Sequence, residues 1–200
     1  MRKAEVKRRT KETDIAVKLN IDGKGEAKIN TGIGLLDHML ELFAFHGLFD
    51  LEISAKGDLK VDIHHTNEDI GIVLGQAFKK ALGNMNGIRR FGSMSAPMED
   101  VTASVVADIS GRGSCKLSLG PGACVEPVAQ DGYSLKDAQH FFEAFAKNLG
   151  VNLNISLNNP GSDLHAALEP VFKAFGLAMD QATQIDPRRK GIPSTKGVID

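Results

Sequence analysis

Residues 4–9 and 14–21 alternate polar and apolar side chains, with Ile15, Val17, Leu19 and Ile21 falling on one face, and the second run meets Asp22-Gly23. A period of two that ends in an Asp-Gly pair predicts a strand entering a hairpin. From Gly34 the period changes, because Leu35, Leu36, Met39, Leu40 and Phe43 recur at three and four residues, and Gly47 supplies a stop. That spacing predicts a helix. Leu51-Glu-Ile-Ser54 and Leu59-Lys-Val-Asp-Ile63 alternate again and predict paired strands around Lys56-Gly57-Asp58, after which Ile70, Val73, Leu74, Ala77, Phe78, Ala81 and Leu82 mark a second helix ending at Gly83. Beyond residue 100 the order returns: strands near 101–109 and 115–119, a helix over 135–149, a strand over 151–157 and a helix over 164–184. The turn at Asn158-Asn-Pro-Gly-Ser162 stands where the first set has Lys56-Gly57-Asp58.

The two sets also share residues. Between His38 and His64 lie 25 residues, between His140 and His165 lie 24, and both stretches end in His-x-x-x-Glu, at Glu68 and Glu169. His38-Met-Leu-Glu-Leu-Phe-Ala44 is echoed by His140-Phe-Phe-Glu-Ala-Phe-Ala146, and Leu51-Glu-Ile-Ser54 by Leu153-Asn-Ile-Ser156. This is an internal duplication. The fold class it implies is α+β, two similar halves at 1–92 and 93–200, each a sheet packed against two helices and together one compact unit. The Gly- and Met-rich passage from Asn84 to Pro97 is the candidate boundary.

At 200 residues, with 42% hydrophobic and 24% charged residues, the chain can bury a substantial core. A net charge of −1 gives no basic field for nucleic acid or for a membrane surface. The first residues lack the apolar core of a signal peptide and no apolar run approaches membrane-spanning length, so the expected location is cytoplasmic. Cys115 and Cys124 have no Cys-x-x-Cys spacing and read as reduced, small hydrophobes.

The residues that the duplication keeps are metal-ligand types. His64 and Glu68 sit one helical turn apart and can grip one ion together, whereas His65 lies about 100° round the helix and is free for a second. Imidazole with carboxylate suits Mn, Fe, Co or Zn. A lone histidine is more often a packed residue than a ligand, but five of the six fall on one repeating ruler; His46 is left over and reads as structural. A zinc hydrolase fails on pattern, since His-Glu-x-x-His is absent. Cations beside glycine or hydroxyl occur in Gly87-Ile-Arg-Arg-Phe-Gly92, Ser110-Gly-Arg-Gly113 and Ile192-Pro-Ser-Thr-Lys-Gly197, a chemistry that grips phosphate, although surface charge is the default reading of any one.

Taken in order, Gly34-Leu-Leu-Asp-His-Met-Leu40, His46-Gly-Leu-Phe-Asp50, Gly57-Asp58, Asp62-Ile-His-His-Thr-Asn-Glu-Asp69, Gly87-Ile-Arg-Arg-Phe-Gly92, Asp108-Ile-Ser-Gly-Arg112, His140-Phe-Phe142, Phe172-Lys-Ala-Phe175 and Pro193-Ser-Thr-Lys-Gly197 resemble the imidazoleglycerol-phosphate dehydratases of histidine biosynthesis. The resemblance covers nearly the whole chain. It implies a hydro-lyase that takes water from imidazole glycerol phosphate to give imidazole acetol phosphate, a homo-oligomer of trimers in a 24-subunit shell, and two Mn2+ per active site, other divalent metals being possible. It assigns one ion to His38, His64 and Glu68, and the other to His65, His140, His165 and Glu169. It makes Glu12 the acid/base, places His38, His65, Glu68 and Glu169 in the catalytic group, and puts substrate phosphate on Arg90, Arg112, Ser194 and Lys196. Two metals on the two ring nitrogens would stabilise the ring as imidazolate while a carboxylate moves protons.

The chain departs from that family's pattern at Ala166, where a second consecutive histidine, a ligand to the first ion, is expected; that ion keeps three protein ligands. Gly113 replaces a usual proline, Glu99-Asp100 reverses the usual order and Gln139 replaces a common glutamate. The rival reading is a weakened or non-catalytic metal-stabilised shell protein that lost turnover through Ala166. Glu12 and the phosphate-site residues argue against it, because a structural shell needs no substrate clamp.

Overall fold

The computed structural model describes residues 1–120 and 127–199. In chain order its elements are β1 (Lys3–Arg9), β2 (Thr13–Asn20), β3 (Ala27–Asn30), α1 (Gly34–Gly47), β4 (Asp50–Gly57), α2 (His64–Leu82), β5 (Phe91–Met98), β6 (Val101–Asp108), β7 (Ser114–Leu119), α3 (Leu135–Leu149), β8 (Asn152–Asn158) and α4 (Leu164–Thr183). They form two four-stranded sheets of the same topology, β1-β2-β4-β3 and β5-β6-β8-β7. In each the first three neighbours are antiparallel and the last pair is parallel, joined through a helix. The α+β duplication read from the sequence is therefore the architecture.

Two local expectations are corrected. The Asp22-Gly23 pair does not close a hairpin; β1 and β2 pair instead around Lys11-Glu12, with Arg9 opposite Asp14. Asp50 explains the difference. Its carboxylate accepts from the Lys24 backbone at 2.7 Å and the Asn20 side chain at 2.8 Å, and a Cβ on Gly23 would collide with the Asp50 backbone nitrogen. The chain is thereby folded across the start of β4 and reaches its far edge as β3. Residues 59–63 form turns rather than a strand, with Leu59 and Val61 exposed, so their alternation does not line a core face. The passage from Asn84 to Pro97 runs from the end of α2 through most of β5. Its small residues reflect crowding: a Cβ on Gly92 would overlap the Ala178 carbonyl of α4.

Helix pairing positions the site. α2 lies on β1 and β2 and against α3, while α4 lies on β5 and β6 and against α1, so each half lends a helix to the other. Two duplicated glycines set the approach. A Cβ on Gly75 would meet the Phe145 carbonyl at 2.6 Å, and one on Gly176 would meet the Phe43 carbonyl at 2.5 Å. Around these contacts Phe43 stacks on Phe175 at 4.6 Å and Phe78 meets Phe145 edge-on at 5.6 Å, all four rings fully buried. Alanine at 75 gains about 1 kcal/mol of helix propensity, but forcing a methyl against a backbone carbonyl costs about 1–3 kcal/mol or more. Gly75→Ala is expected to lower the denaturation midpoint; an unchanged midpoint would show that α2 and α3 have room to part.

Candidate active site

The N-terminus of α2 presents His64, His65 and Glu68, and the N-terminus of α4 presents His165 and Glu169, each pair one turn apart as the period requires. α4 is capped by Asp163, whose carboxylate accepts from the Ala166 backbone at 3.2 Å. α3 begins at a capping box in which Ser134 and Asp137 satisfy each other's backbone N–H groups, and it carries His140. α1 carries His38.

Because α1 packs on α4, His38 reaches the second half. Its Nε2 is 3.1 Å from Glu169 Oε1, and His165 Nε2 is 3.2 Å from the same oxygen, with the two rings stacked at 5.0 Å. Among the described residues this trio alone brings three ligand atoms within 4.8 Å of one another. The other Glu169 oxygen accepts from Lys173 Nζ at 2.7 Å. Burial would raise the Glu169 carboxyl, which is 13% exposed, but the hydrogen bonds from Lys173 and His38 and the charge of Lys173 outweigh it and hold the group at about 2. Glu169 is thus ionised throughout the physiological range. By the same packing, α2 and α3 bring His64 Nδ1 within 3.3 Å of His140 Nδ1, while His64 Nε2 lies 3.6 Å from Glu68. His65 Nδ1 faces Asp58 at 3.0 Å and Glu12 at 3.8 Å. The Asp58 hydrogen bond, opposed by partial burial and helped by the nearby Glu12 charge, raises the His65 pKa.

Within one chain these residues fall into two groups, and each ion set implied by the family resemblance draws on both. His38 joins His165 and Glu169, and His140 joins His64. Glycine-mediated helix pairing is the cause. Ala166 follows His165 as His65 follows His64, and it offers no ligand atom. His46 packs edge-on against Phe45, with its pKa lowered by burial and then by Lys173, in keeping with a structural role. Burial pushes the Cys115 thiol up to about 12, which suits an inert residue; Cys124 lies outside the described residues.

Of the anion-binding candidates, Arg90 and Ser194 share a depression of about 430 Å³, to which Arg89, Arg189 and Thr195 also contribute. Arg90 donates from Nε and Nη2 to Asp108, at 2.6 and 3.1 Å, and from Nη1 to the Pro193 carbonyl at 3.1 Å, which fixes the C-terminal segment beside β5. Lys196 is exposed and its backbone N–H reaches the Ser194 hydroxyl at 3.2 Å, while Arg112 is exposed on the turn after β6, outside the lining of the depression. Sequence reasoning missed Lys173, though its spacing four residues after Glu169 was a usable signal. It also missed Asp58 and Arg189, for which position along the chain gives none.

The model of the family described as imidazoleglycerol-phosphate dehydratase matches residues 31–179. Curated relatives of that name include proteins of Thermoanaerobacter pseudethanolicus, 53% identical with all of both chains covered, and Geobacter metallireducens, 50% identical over 99% of each. Among solved structures, the enzyme of Pyrococcus furiosus, crystallised in complex with (S)-C348, superposes with a TM-score of 0.80 at 34% identity, covering 96% of this chain and 99% of that one. The enzyme of Staphylococcus aureus gives 0.76 at 34%, covering 92% and 99%. With duplicated sheets, paired His-x-x-x-Glu helices and full-length likeness in agreement, the chain belongs to the imidazoleglycerol-phosphate dehydratase family, hydro-lyases of histidine biosynthesis.

Proposed function

We propose that the dehydration of imidazole glycerol phosphate by this chain depends on divalent metal, with manganese the first choice, held by His38, His64, His65, Glu68, His140, His165 and Glu169. The observation that carries this reading is the convergence of two imidazole Nε2 atoms on one carboxylate oxygen of Glu169 while Lys173 occupies the other. Two imidazole nitrogens and a carboxylate oxygen are a fitting donor set for a first-row divalent ion. When bound, such ions would supply Lewis-acid stabilisation of charge on the substrate's imidazole ring.

The protein's own groups do the rest. Glu12 extends from the β1–β2 turn, 56% exposed and 3.8 Å from His65, where a carboxylate can take a proton from substrate carbon and return one to the leaving hydroxyl. Arg90, Arg112, Ser194 and Lys196 would bind the phosphate and so fix the distance of the reacting carbon from Glu12. Asp58 holds His65 by its Nδ1, which leaves Nε2 directed outward as a ligand.

The ligand sets drawn from the family resemblance each take members from both groups found in one chain. Sites completed between copies follow naturally, and a homo-oligomer of trimers, up to a 24-subunit shell, is the assembly we propose. Among the described residues no helix is long and apolar enough to cross a membrane, and a cytoplasmic location suits the reading. Loss of turnover through Ala166 is disfavoured by the retained Glu12 and phosphate residues. The test is chelation of the purified protein followed by stepwise return of manganese, with formation of the enolised ketone product followed by absorbance. Activity is expected to vanish and return; full activity in metal-free protein would refute the metal requirement.

A further inference from the structure

Asp69 follows Glu68 on α2, and its carboxylate meets the base of the β1–β2 turn. Its side chain is 12% exposed, and its two oxygens are both engaged: Oδ1 accepts from Arg8 Nε at 2.8 Å, and Oδ2 from the Thr13 hydroxyl at 2.5 Å. Thr13 is buried, 3% exposed, and closes the same turn from its other end, where the Thr10 hydroxyl accepts from the Glu12 and Thr13 backbone N–H groups at 3.0 Å each. Arg8 and Thr13 thus flank the turn residues Lys11 and Glu12, and one helix-borne carboxylate ties both flanks to the helix that carries His64, His65 and Glu68.

The second copy shows what the fold alone demands. The ruler that pairs His64 with His165 and Glu68 with Glu169 pairs Asp69 with Pro170, a buried residue that accepts no hydrogen bond from its side chain. The corresponding β5–β6 turn is shorter, with two residues between Met98 and Val101 instead of the four between Arg9 and Asp14, and its Glu99 adopts a left-handed φ of 51°. The same supersecondary unit therefore closes without the aspartate. Between the copies, the Asp69 tie is found where the turn carries Glu12.

We propose that Asp69, acting through Thr13, is a positioning residue that holds the Glu12 carboxylate at its working distance from the His65 end of the site. The inference rests on the reading of Glu12 as the acid/base group. A turn joined to its sheet by backbone bonds alone is free to swing, and misplacement of a catalytic group by about 1 Å can lower turnover by up to ~10²-fold. Thr13→Val removes the hydroxyl at nearly constant volume and leaves Asp69 paired with Arg8.

The experiment is a cycle of Thr13→Val, Glu12→Gln and the double variant, with kcat, KM and bound manganese measured for each; Asp69→Asn is the second probe of the tie, and Thr13→Ser the conservative rescue. Thr13→Val is expected to lower kcat roughly tenfold with KM and metal content unchanged, Thr13→Ser to restore it, and Thr13→Val to cost nothing further once Glu12 is Gln. Additive losses in the double variant, or a loss expressed only as reduced metal content or folding, would overturn the positioning role while leaving Glu12 in place. Normal turnover in Glu12→Gln itself would remove the acid/base reading, and the positioning role with it.

Discussion

Glu12→Gln is expected to lower kcat by about 10²-fold or more, the usual scale for loss of a group that transfers protons in the transition state, while the bound metal stays at the level of the parent protein. The geometry separates the two effects. Glu12 is 3.8 Å from His65 and belongs to an exposed turn, outside the His38–His165–Glu169 cluster and outside the His64–His140 contact. Replacing its carboxylate with an isosteric amide keeps the size of the side chain and removes only the proton acceptor. Steady-state kinetics with metal analysis on the same sample checks it. A variant with parental kcat would take Glu12 out of the chemistry, and one that loses metal in parallel would make it a ligand instead.

The largest departure from the family pattern leads to the second expectation. Position 166 lies beside His165 in the first turn of α4, where the family resemblance implies an imidazole. Two classes of ion are expected in a manganese titration, the weaker one being the ion that residue 166 would have helped to hold. Water must replace the missing nitrogen, and since loss of a ligand's supporting hydrogen bonds alone weakens a site by roughly 10–100-fold, loss of the ligand is expected to cost at least as much. Ala166→His is expected to tighten the weaker class alone and to raise turnover at low manganese. The helix should accept the change, because Asp163 caps it through the backbone of residue 166 and asks nothing of its side chain. Unaltered affinity and unaltered turnover would move residue 166 out of the coordination shell.

The legible parts of the fold are those written in local period. Helices α1 to α4 and strands β1, β2, β4, β6 and β8 follow from apolar spacing because each buries residues of one face against a neighbour. β5 does not, because its inward positions include Gly92 and Ala96, kept small by the α4 backbone rather than large by a core. The Asp22-Gly23 turn was a sound signal of reversal, but whether the chain returns alongside β2 or crosses β4 is decided by Asp50, 28 residues downstream of Asp22. The ligand residues were equally visible, since duplication repeats them on one ruler. Their partnership was not: it depends on Gly75 meeting Phe145 and Gly176 meeting Phe43, contacts between halves that no spacing along the chain encodes. Duplication supplied the ligand residues, and helix packing between the copies decided which of them meet.

The claim that the paired helices hold metal is tested most directly by anomalous scattering at the manganese edge from crystals of the parent protein grown with saturating manganese. The account predicts anomalous peaks at the His38–His165–Glu169 cluster of each chain, with each ion's remaining ligands supplied by another copy. Active protein whose crystals show no anomalous peak at that cluster would contradict it.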